Sequence, residues 1–269
     1  MAEESRPLAL ICGSGASILL PDMEHQDSVD VSTPYGETSA PISICRLHGL
    51  IVCVLNRHGE GHTIPPHRIN YRSNIWALAE LGCKSAIALA TVGGIRDDLK
   101  SGSLMLPTQI IDYTWGREMT FFDGGSESIV GHLENANPYC NALRDLILLA
   151  ANGSNIPLHD GGTYAATQGP RFETAAEIDR IERDGGDVVG MTGMPETTLA
   201  AEKQICYASI NLIVNPAAGR GDSEITVNEM REAWESGCEN LRLLINKSIL
   251  ELANNETCYL PLNSHIMKM

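Results

Sequence analysis

The sequence predicts an α/β fold in which a mixed, largely parallel central sheet carries helices on both faces. Short apolar runs alternate with longer segments of helical periodicity along most of the chain, which is typical of strands joined by crossover helices. The 269 residues contain no internal repeat, low-complexity tract or linker, so we expect one domain spanning residues 1–269. The tail from about residue 254 is expected to be flexible.

In the first half of the chain, apolar runs predict strands at 8–12, 41–47, 50–55, 85–92 and 103–112. The second and third of these are separated by two residues and should form a hairpin. A helix is predicted over 70–81, because its apolar residues recur at helical spacing and Gly82 can cap its end. An amphipathic helix is predicted over 139–151.

The second half repeats the alternation, with strands predicted at 162–167, 188–191 and 207–214 and helices at 173–183 and from Pro195 to 204. Proline suits the first turn of a helix, where a missing N–H has no consequence. Thr226 and Glu229 have the spacing of a capping box, which predicts a long helix from there to about residue 252. Ligands bind beyond the carboxyl ends of strands in such sheets, so the polar segments that follow strands are the candidate sites.

Composition disfavours several classes of function. There are 19 Lys and Arg residues against 34 Asp and Glu residues, a formal net charge of −15, which disfavours binding to nucleic acid or an anionic membrane. No apolar run approaches the roughly 18 residues that a membrane span needs, and the acidic start is unlike a signal peptide. The eight cysteines form no CxxC pair and several lie in apolar runs, so we expect reduced thiols in a cytoplasmic protein.

Two segments combine glycine with groups that bind anions. Residues 11–15, ICGSG, follow the first strand and fit either an anion loop or a plain tight turn; the third glycine of a dinucleotide fingerprint is missing. Residues 56–68, NRHGEGHTIPPHR, hold three histidines and two arginines, which favours an oxyanion site over a solvated loop. A metal site at His58 and His62 would need a helix, which the glycines and prolines here prevent.

Three further polar segments follow strands: TQGPRFET at 167–174, GMTGMPE at 190–196 and NPAAGR at 215–220. Each also has a purely structural interpretation. Glu173 would complement a helix dipole, Met191 and Thr192 would pack and cap a helix, and Asn215 would start a turn before Pro216.

Taken in order, these segments resemble the purine nucleoside phosphorylase and methylthioadenosine phosphorylase family, in its trimeric branch. The resemblance covers most of the chain and runs through ICGSG, TPYG, LNRHGEGH, NYRSNIWAL, GGI, QGPRFET, GMTGMPE and IVNPAAG. It implies a homotrimer that cleaves a purine nucleoside with inorganic phosphate, its co-substrate, to a free base and a ribose 1-phosphate. It also implies that no metal and no organic cofactor are needed.

The resemblance assigns roles residue by residue. The family's phosphate site corresponds here to Ser14, Arg57, His58, Thr192 and the backbone of Ala90-Thr91, where related enzymes have Thr-Ala or Asn-Ala. Its nucleoside site corresponds to Phe172 and Glu173, Met191 and Asn215, and, for the 5′ substituent, Val227 and Met230. His132 matches a residue that each subunit lends to its neighbour. Arg57, Glu173 and Asn215 are the expected catalytic residues.

The pair expected at the base departs from the methylthioadenosine enzymes, which typically have Asp and Ser where this chain has Asn215 and Glu173. A carboxylate can accept from N1–H and an amide can donate to O6, which suits a 6-oxopurine. We therefore expect S-methyl-5′-thioinosine as substrate, with S-methyl-5′-thioadenosine, inosine or guanosine as alternatives. A nucleoside hydrolase or a non-catalytic nucleoside-binding protein would have no use for the phosphate cluster.

Overall fold

The computed structural model describes residues 6–13, 20–124, 131–221, 226–254 and 266–268; the tail beyond 254 otherwise lies outside these ranges. The helices are α1 (Tyr71–Glu80), α2 (Asn141–Gly153), α3 (Ala175–Arg183), α4 (Gly193–Glu202) and α5 (Val227–Asn254). The strands are β1 (Leu8–Cys12), β2 (Glu24–Val29), β3 (Ile42–Leu47), β4 (Leu50–Asn56), β5 (Ser85–Gly94), β6 (Leu104–Leu106), β7 (Gln109–Asp112), β8 (Gly131–Leu133), β9 (His159–Asp160), β10 (Thr163–Ala166), β11 (Val188–Gly190), β12 (Cys206–Pro216) and β13 (Ile266–Lys268).

Eleven of the described strands form one mixed sheet, in the order β2-β3-β4-β1-β5-β11-β10-β7. β12 pairs with β5 and β6, and β6 pairs with β9. Six of the pairings are parallel, among them those of β1 with β4 and β5 and of β5 with β12. β8 and β13 form a separate antiparallel ribbon.

The central strand β1 shows why both faces of the sheet are covered. Its side chains alternate, so that Leu8, Leu10 and Cys12 belong to the apolar core on one face, and Ala9 and Ile11 to the core on the other. α2 and α5 supply apolar residues to the first core, and α1 and α4 to the second. All five residues of β1 are buried, as is typical of a parallel strand covered on both sides. The predicted fold class is confirmed.

The segment predicted as one strand over 103–112 is two strands, β6 and β7, separated by Pro107 and Thr108. β6 pairs with β12 and β9, whereas β7 pairs with β10. Proline has no N–H to donate to a strand ladder, so the chain changes partners at this point. Elsewhere the hairpin of β3 and β4 and the capping box of Thr226 and Glu229 form as predicted.

The expectation that every cysteine is a free thiol is wrong. Cys140, at the N-cap of α2, and Cys206, the first residue of β12, form a disulfide between residues 66 apart in sequence. Because the fold alone brings the two residues together, no local spacing indicates the bond. The other cysteines that the structure describes are free.

The sheet opens at one point along β5. On one edge β5 pairs with β12 over its whole length. On the other edge it pairs with β1 only from Ser85 to Ala88, and with β11 only at Gly93 and Gly94. Between these pairings, residues 89–92 have no partner strand on that edge among the residues described. Strands that diverge in this way leave a crevice at their ends, which is where ligands bind in open α/β sheets.

Candidate active site

A cavity of about 620 Å³ lies in this crevice. Each of the five polar segments that the sequence analysis singled out contributes residues to its wall, and Met230 of α5 is added to them. The segments are far apart in sequence and meet because the strands before them end at the same place. An adjoining cavity shares Phe172, Glu173 and Asn215 with the first but does not reach Arg57. Following the roles that the resemblance implies, we call the part of the cavity around Arg57 the phosphate end and the part around Glu173 and Asn215 the base end.

Arg57 follows β4 directly, and only 1% of its surface is exposed. Its Nε and Nη2 donate to the two carboxylate oxygens of Glu196 at 2.9 and 2.8 Å. Nη1 donates to the Leu89 carbonyl at 2.6 Å, and Nη2 also donates to the Ile11 carbonyl at 3.3 Å. The guanidinium is therefore fixed between β1, β5 and α4. A guanidinium has five N–H donors, so within the described part of the chain one N–H on Nη1 is left for a ligand.

Glu196 is a site residue that the sequence analysis did not identify, although it ends the GMTGMPE segment. It is 2% exposed, and besides Arg57 it accepts from the Tyr207 hydroxyl at 2.7 Å. A buried charge is tolerated when it is paired and its lone pairs are hydrogen-bonded, and this carboxylate meets both conditions. A glutamate in the first turn of a helix has an ordinary role at the helix dipole, so the sequence held no signal that separates the two roles.

His58 lines the phosphate end, and its ring is oriented by the loop that follows it. Nδ1 lies 2.8 Å from the Ile64 carbonyl, and the Ile64 N–H donates to the His58 carbonyl at the same distance. The His62 ring stacks on it with the centroids 4.2 Å apart. Burial, together with the charge of Arg57 and the neighbouring His62, lowers the pKa of His58 from 6.5 to about 4. The imidazole is therefore neutral at pH 7, with its proton on Nδ1 and a lone pair on Nε2.

Three more predicted phosphate residues line the same cavity. Thr192 is buried directly before α4, and its side chain makes no capping bond. Because the backbone of Met194 is extended rather than helical, Thr192 does not lie at a regular helix N-terminus. Ala90 and Thr91 lie in the stretch of β5 that β1 and β11 leave unpaired. Gly13 also lines the cavity, whereas Ser14 lies outside the described residues.

Glu173 lines both cavities, and it is not part of a helix. α3 begins at Ala175, with Thr174 as its N-cap and Glu177 completing a capping box. The predicted helix start at 173 was therefore two residues early, and Glu173 lies one residue before the N-cap. The Thr167 hydroxyl donates to its Oε1 at 2.6 Å. This bond orients the carboxylate and leaves Oε2 available to accept from a ligand.

Asn215 is buried near the carboxyl end of β12, at the register position opposite Gly93 of β5. One N–H of its amide donates to the Pro216 carbonyl at 2.7 Å. A Cβ added at Gly93 would lie 3.2 Å from the Asn215 amide nitrogen, so any larger residue at position 93 would crowd this side chain. Asn215 lines the cavity, and its second amide N–H and its carbonyl oxygen are available to a ligand there.

The other nucleoside-site residues fall into two groups. Phe172, Met191 and Met230 line the cavity, and Phe172 is 49% exposed. Val227, at the first position of α5, is 78% exposed and is absent from the cavity wall. His132, on β8, is exposed and is also absent from the wall. The structure of one chain therefore does not bring these last two to the site, and their roles stay predictions.

The described residues also bear on the metal alternative. Among them, no group of three or more His, Cys, Asp and Glu side chains is arranged to hold a metal ion. His58 and His62, the pair that a metal site here would use, lie in a loop whose helical parts are two short 3₁₀ turns, Glu60–His62 and Pro66–Arg68.

Comparison with known proteins agrees with the geometry. The model of the phosphorylase superfamily matches residues 7–250. A probable S-methyl-5′-thioinosine phosphorylase of Xanthomonas campestris pv. campestris is 46% identical over 249 residues, which are 92% of this chain and 98% of that protein. The 6-oxopurine nucleoside phosphorylase of Pyrococcus furiosus is 40% identical over 255 residues, which are 93% of this chain and 95% of that protein.

Solved structures give the same answer. Methylthioadenosine phosphorylase from Schistosoma mansoni in complex with adenine superposes with a TM-score of 0.88 at 29% identity, over 93% of each chain. A methylthioadenosine phosphorylase from an antarctic soil metagenomic library gives a TM-score of 0.87 at 31% identity, over 94% of this chain and 88% of the other. The match to the family model alone spans most of the chain, and the relatives extend it to nearly full length. The chain belongs to the phosphorylase superfamily.

Proposed function

We propose that the protein cleaves the glycosidic bond of a 6-oxopurine nucleoside with inorganic phosphate. The preferred substrate is S-methyl-5′-thioinosine, and the products are hypoxanthine and 5-methylthioribose 1-phosphate. One observation carries the proposal: a single cavity joins Arg57, His58 and Thr192 at one end to Glu173 and Asn215 at the other. No metal and no organic cofactor takes part.

At the phosphate end, the protein holds the nucleophile and its charge. Arg57 is locked by Glu196 and two carbonyls, so it reaches a ligand in one orientation. Thr192 lines the same end of the cavity and offers a hydroxyl to the phosphate. Donors fixed in advance in this way stabilise developing charge without having to reorganise. The sugar becomes oxocarbenium-like as the C1′–N9 bond breaks, and a phosphate oxygen held behind C1′ forms the new bond.

His58 has a different role from Arg57. Its Nδ1–H is used on Ile64, so at pH 7 its Nε2 accepts rather than donates. The dianion HPO₄²⁻ has one hydroxyl, and donating it to Nε2 turns the charged oxygens towards Arg57, Thr192 and C1′. His58 thereby selects the orientation of the nucleophile.

At the base end, the leaving purine is stabilised by a matched pair of groups. The leaving base takes up, through solvent, the proton that HPO₄²⁻ loses on becoming the phosphate monoester dianion. The Asn215 carbonyl accepts from the resulting N7–H, and the free N–H of its amide donates to O6. Glu173, oriented by Thr167, accepts from N1–H through Oε2. An adenine base has an unprotonated N1 and an amino group at C6. The bond from N1–H to Glu173 and the bond from the Asn215 amide to O6 would therefore both be lost. Buried groups left unpaired in this way discriminate strongly between substrates.

The substituent at C5′ distinguishes methylthioinosine from inosine. Met230 lines the cavity and has no strong hydrogen-bonding group, so a 5′-hydroxyl beside it would lose its water without replacement. Val227, at the start of α5, is proposed to contact the same substituent. S-methyl-5′-thioadenosine phosphorolysis is the second candidate, favoured by the solved structures from Schistosoma mansoni.

One assay separates these functions. The purified protein is incubated with methylthioinosine, methylthioadenosine or inosine, each with and without phosphate, and the free base is measured. We expect base release only with phosphate, undiminished by a chelator, and fastest from methylthioinosine. Release without phosphate would mean a hydrolase, and equal rates with methylthioadenosine would remove the basis for 6-oxopurine preference.

We also propose that the active form is a homotrimer in the cytoplasm. His132 is exposed on the small β8–β13 ribbon, where it is accessible to another subunit. Within the described residues, no helix could cross a membrane. Light scattering at micromolar concentration tests the assembly: a monomer with full activity would refute it.

A further inference from the structure

Arg117 is a buried arginine beside the active site that none of the sequence motifs contains. It lies between β7 and β8, and 9% of its surface is exposed. The segment that carries it is itself fixed to α4: Glu202 accepts from the Phe121 N–H at 2.7 Å and from the Thr120 hydroxyl at 2.6 Å. Arg117 therefore reaches into the protein from an anchored position.

The guanidinium of Arg117 donates to backbone on both sides of the cavity. Its Nη2 donates to the carbonyls of Thr167 and Gln168 at 3.2 and 2.9 Å. Its Nη1 donates to the Met191 carbonyl at 3.0 Å and to the Met194 carbonyl. The first pair opens the segment that ends in Phe172 and Glu173, and the second pair brackets Thr192. One side chain thus joins the base end to the phosphate end.

A further contact extends this connection to the loop after His58. Arg117 Nη1 lies 3.2 Å from the Tyr71 hydroxyl, which donates to the Pro66 carbonyl at 3.0 Å. Nε lies 3.3 Å from the Gln168 side-chain oxygen. All three nitrogens of the guanidinium therefore contact segments that form the cavity wall or lead into it.

The way Arg117 is paired sets it apart from the other buried arginines. Arg57 forms an ion pair with Glu196, and Arg144 forms one with Asp160. Among the described residues Arg117 forms no ion pair; its partners are carbonyls, an amide oxygen and Tyr71, whose ring lies 5.3 Å from the guanidinium carbon. Only a planar group with five donors satisfies acceptors in so many directions, so lysine cannot replace it.

We propose that Arg117 is a positioning residue that holds the Thr167–Glu173 segment and the Met191–Met194 turn in register, so that base and phosphate are bound at the correct separation. The proposal rests on the proposed function, because it assigns a common support to the groups named there. Loss of Arg117 leaves four carbonyls without their donor and frees both segments at once, so nucleoside and phosphate binding should weaken together.

The test compares Arg117→Ala and Arg117→Lys with Arg144→Ala. Arg144 is equally buried but donates to Leu106 and Asp160, which are absent from the cavity wall. Each variant is assayed well below its own unfolding temperature, with nucleoside and phosphate varied separately. We expect both KM values of Arg117→Ala to rise by about tenfold or more, since several hydrogen bonds to a charged group are lost. Arg144→Ala should lower the unfolding temperature and leave both KM values near those of the unmodified enzyme.

Two outcomes would overturn the proposal: wild-type KM values for both substrates in Arg117→Ala, or a rise for one substrate alone. If Arg117→Ala does not fold, Arg117→Lys decides, because it keeps the charge and most of the volume but not the fork of donors; it should show the same joint rise.

Calorimetric binding of hypoxanthine and of inorganic phosphate separates this proposal from the proposed function. An unmodified protein that binds both without phosphorolysis refutes the function alone, and Arg117 is then judged by whether its loss weakens both affinities. Failure to bind either ligand refutes both proposals.

Discussion

The two ends of the cavity are built differently. At the phosphate end, Arg57 and Glu196 are almost fully buried and hold each other in place, and the Tyr207 hydroxyl donates a further hydrogen bond to Glu196. At the base end, Asn215 is buried near the end of β12, but Glu173, on the segment after β10, is only half-buried and Phe172 is 49% exposed. The difference indicates that the nucleophile enters a preformed site, whereas the nucleoside site is completed by more accessible segments. Recognition of phosphate should thus be rigid, and recognition of the nucleoside adaptable.

The largest expected effect comes from breaking the phosphate end. Arg57→Ala removes the fixed donor, and by analogy with single oxyanion donors it should lower kcat by about 10²–10³-fold. It also leaves Glu196 buried without its cation, which should lower the free energy of unfolding by about 3–5 kcal/mol. Steady-state kinetics and urea unfolding measure the two effects separately.

The double variant Arg57→Met with Glu196→Met distinguishes the effect on activity from the effect on stability. Removing both charges should restore much of the stability lost in the single variant, because an apolar pair is compatible with this buried position. Activity should stay low, since the donor to phosphate is still missing. Recovery of activity together with stability would show that Arg57 acts through the fold alone.

The second effect concerns the end of β12 that lies farthest along the strand from Asn215. The disulfide of Cys140 and Cys206 closes 66 residues of sequence, and a bond over a loop of this length typically contributes about 2–4 kcal/mol to stability. We expect a reductant to lower the unfolding free energy of the protein by that amount and to leave both KM values unchanged. A variant with both cysteines replaced by alanine should be as stable as the reduced protein and insensitive to the reductant. A raised KM in that variant would mean that this end of β12 also shapes the site.

The sequence predicted the segments of the site better than the contacts within it. Glycines, prolines and polar residues directly after apolar strands indicate strand ends, and strand ends of a parallel sheet meet at one edge. This local logic predicted the five segments that line the cavity, whereas the roles of the residues within them were implied by the resemblance to the family. The Arg57–Glu196 pair spans 139 residues and the Cys140–Cys206 bond 66. Only the arrangement of strands determines such partners, and no periodicity records it.

Arg117 and the 103–112 segment illustrate the same limit. Arg117 lies in a stretch without regular structure, and its role comes from four carbonyls on two distant segments and from the Tyr71 hydroxyl. The break at Pro107 was visible in the sequence, since proline removes a ladder donor. The apolar residues on both sides of Pro107 are typical of a strand, so the apolar pattern alone predicts one continuous strand there.

The third effect changes the base end. Asn215→Asp should lower kcat/KM for methylthioinosine by about 10- to 100-fold, since the donor to O6 is lost and a carboxylate faces a carbonyl. The preference should move towards methylthioadenosine, whose amino group can donate to the new carboxylate. Rates with the two nucleosides, measured side by side, test this change.

Glu173→Gln tests the other half of the pair, with Glu177→Gln as its matched control. Glu177 belongs to the capping box of α3, so its replacement should lower stability and leave the substrate preference alone. Glu173→Gln should weaken selection against the 6-amino base, because an amide can donate to an unprotonated N1. An unchanged ratio of the two nucleosides in Glu173→Gln would contradict the proposed contact.

The smallest expected effect is a change in the free energy of unfolding with pH, caused by His58 at the phosphate end. Burial, with Arg57 and His62 nearby, lowers the pKa of His58 from 6.5 to about 4 in the folded protein. Between these two pH values the unfolded chain takes up a proton that the folded protein does not. The free energy of unfolding should therefore fall as the pH is lowered from 6.5 to 4, by at most about 1.4 kcal/mol per pH unit from this group.

His58→Asn cannot titrate but retains a donor for the Ile64 carbonyl. The difference in stability between the unmodified protein and this variant should shrink or reverse in favour of the variant as the pH falls from 7 to 5, in urea unfolding at each pH. His25→Asn, at an exposed position on β2, controls for general effects of removing a histidine. If the difference between wild type and His58→Asn is the same at every pH, the ring is not held neutral by its surroundings, and the accepting role assigned to its Nε2 at the phosphate end is wrong.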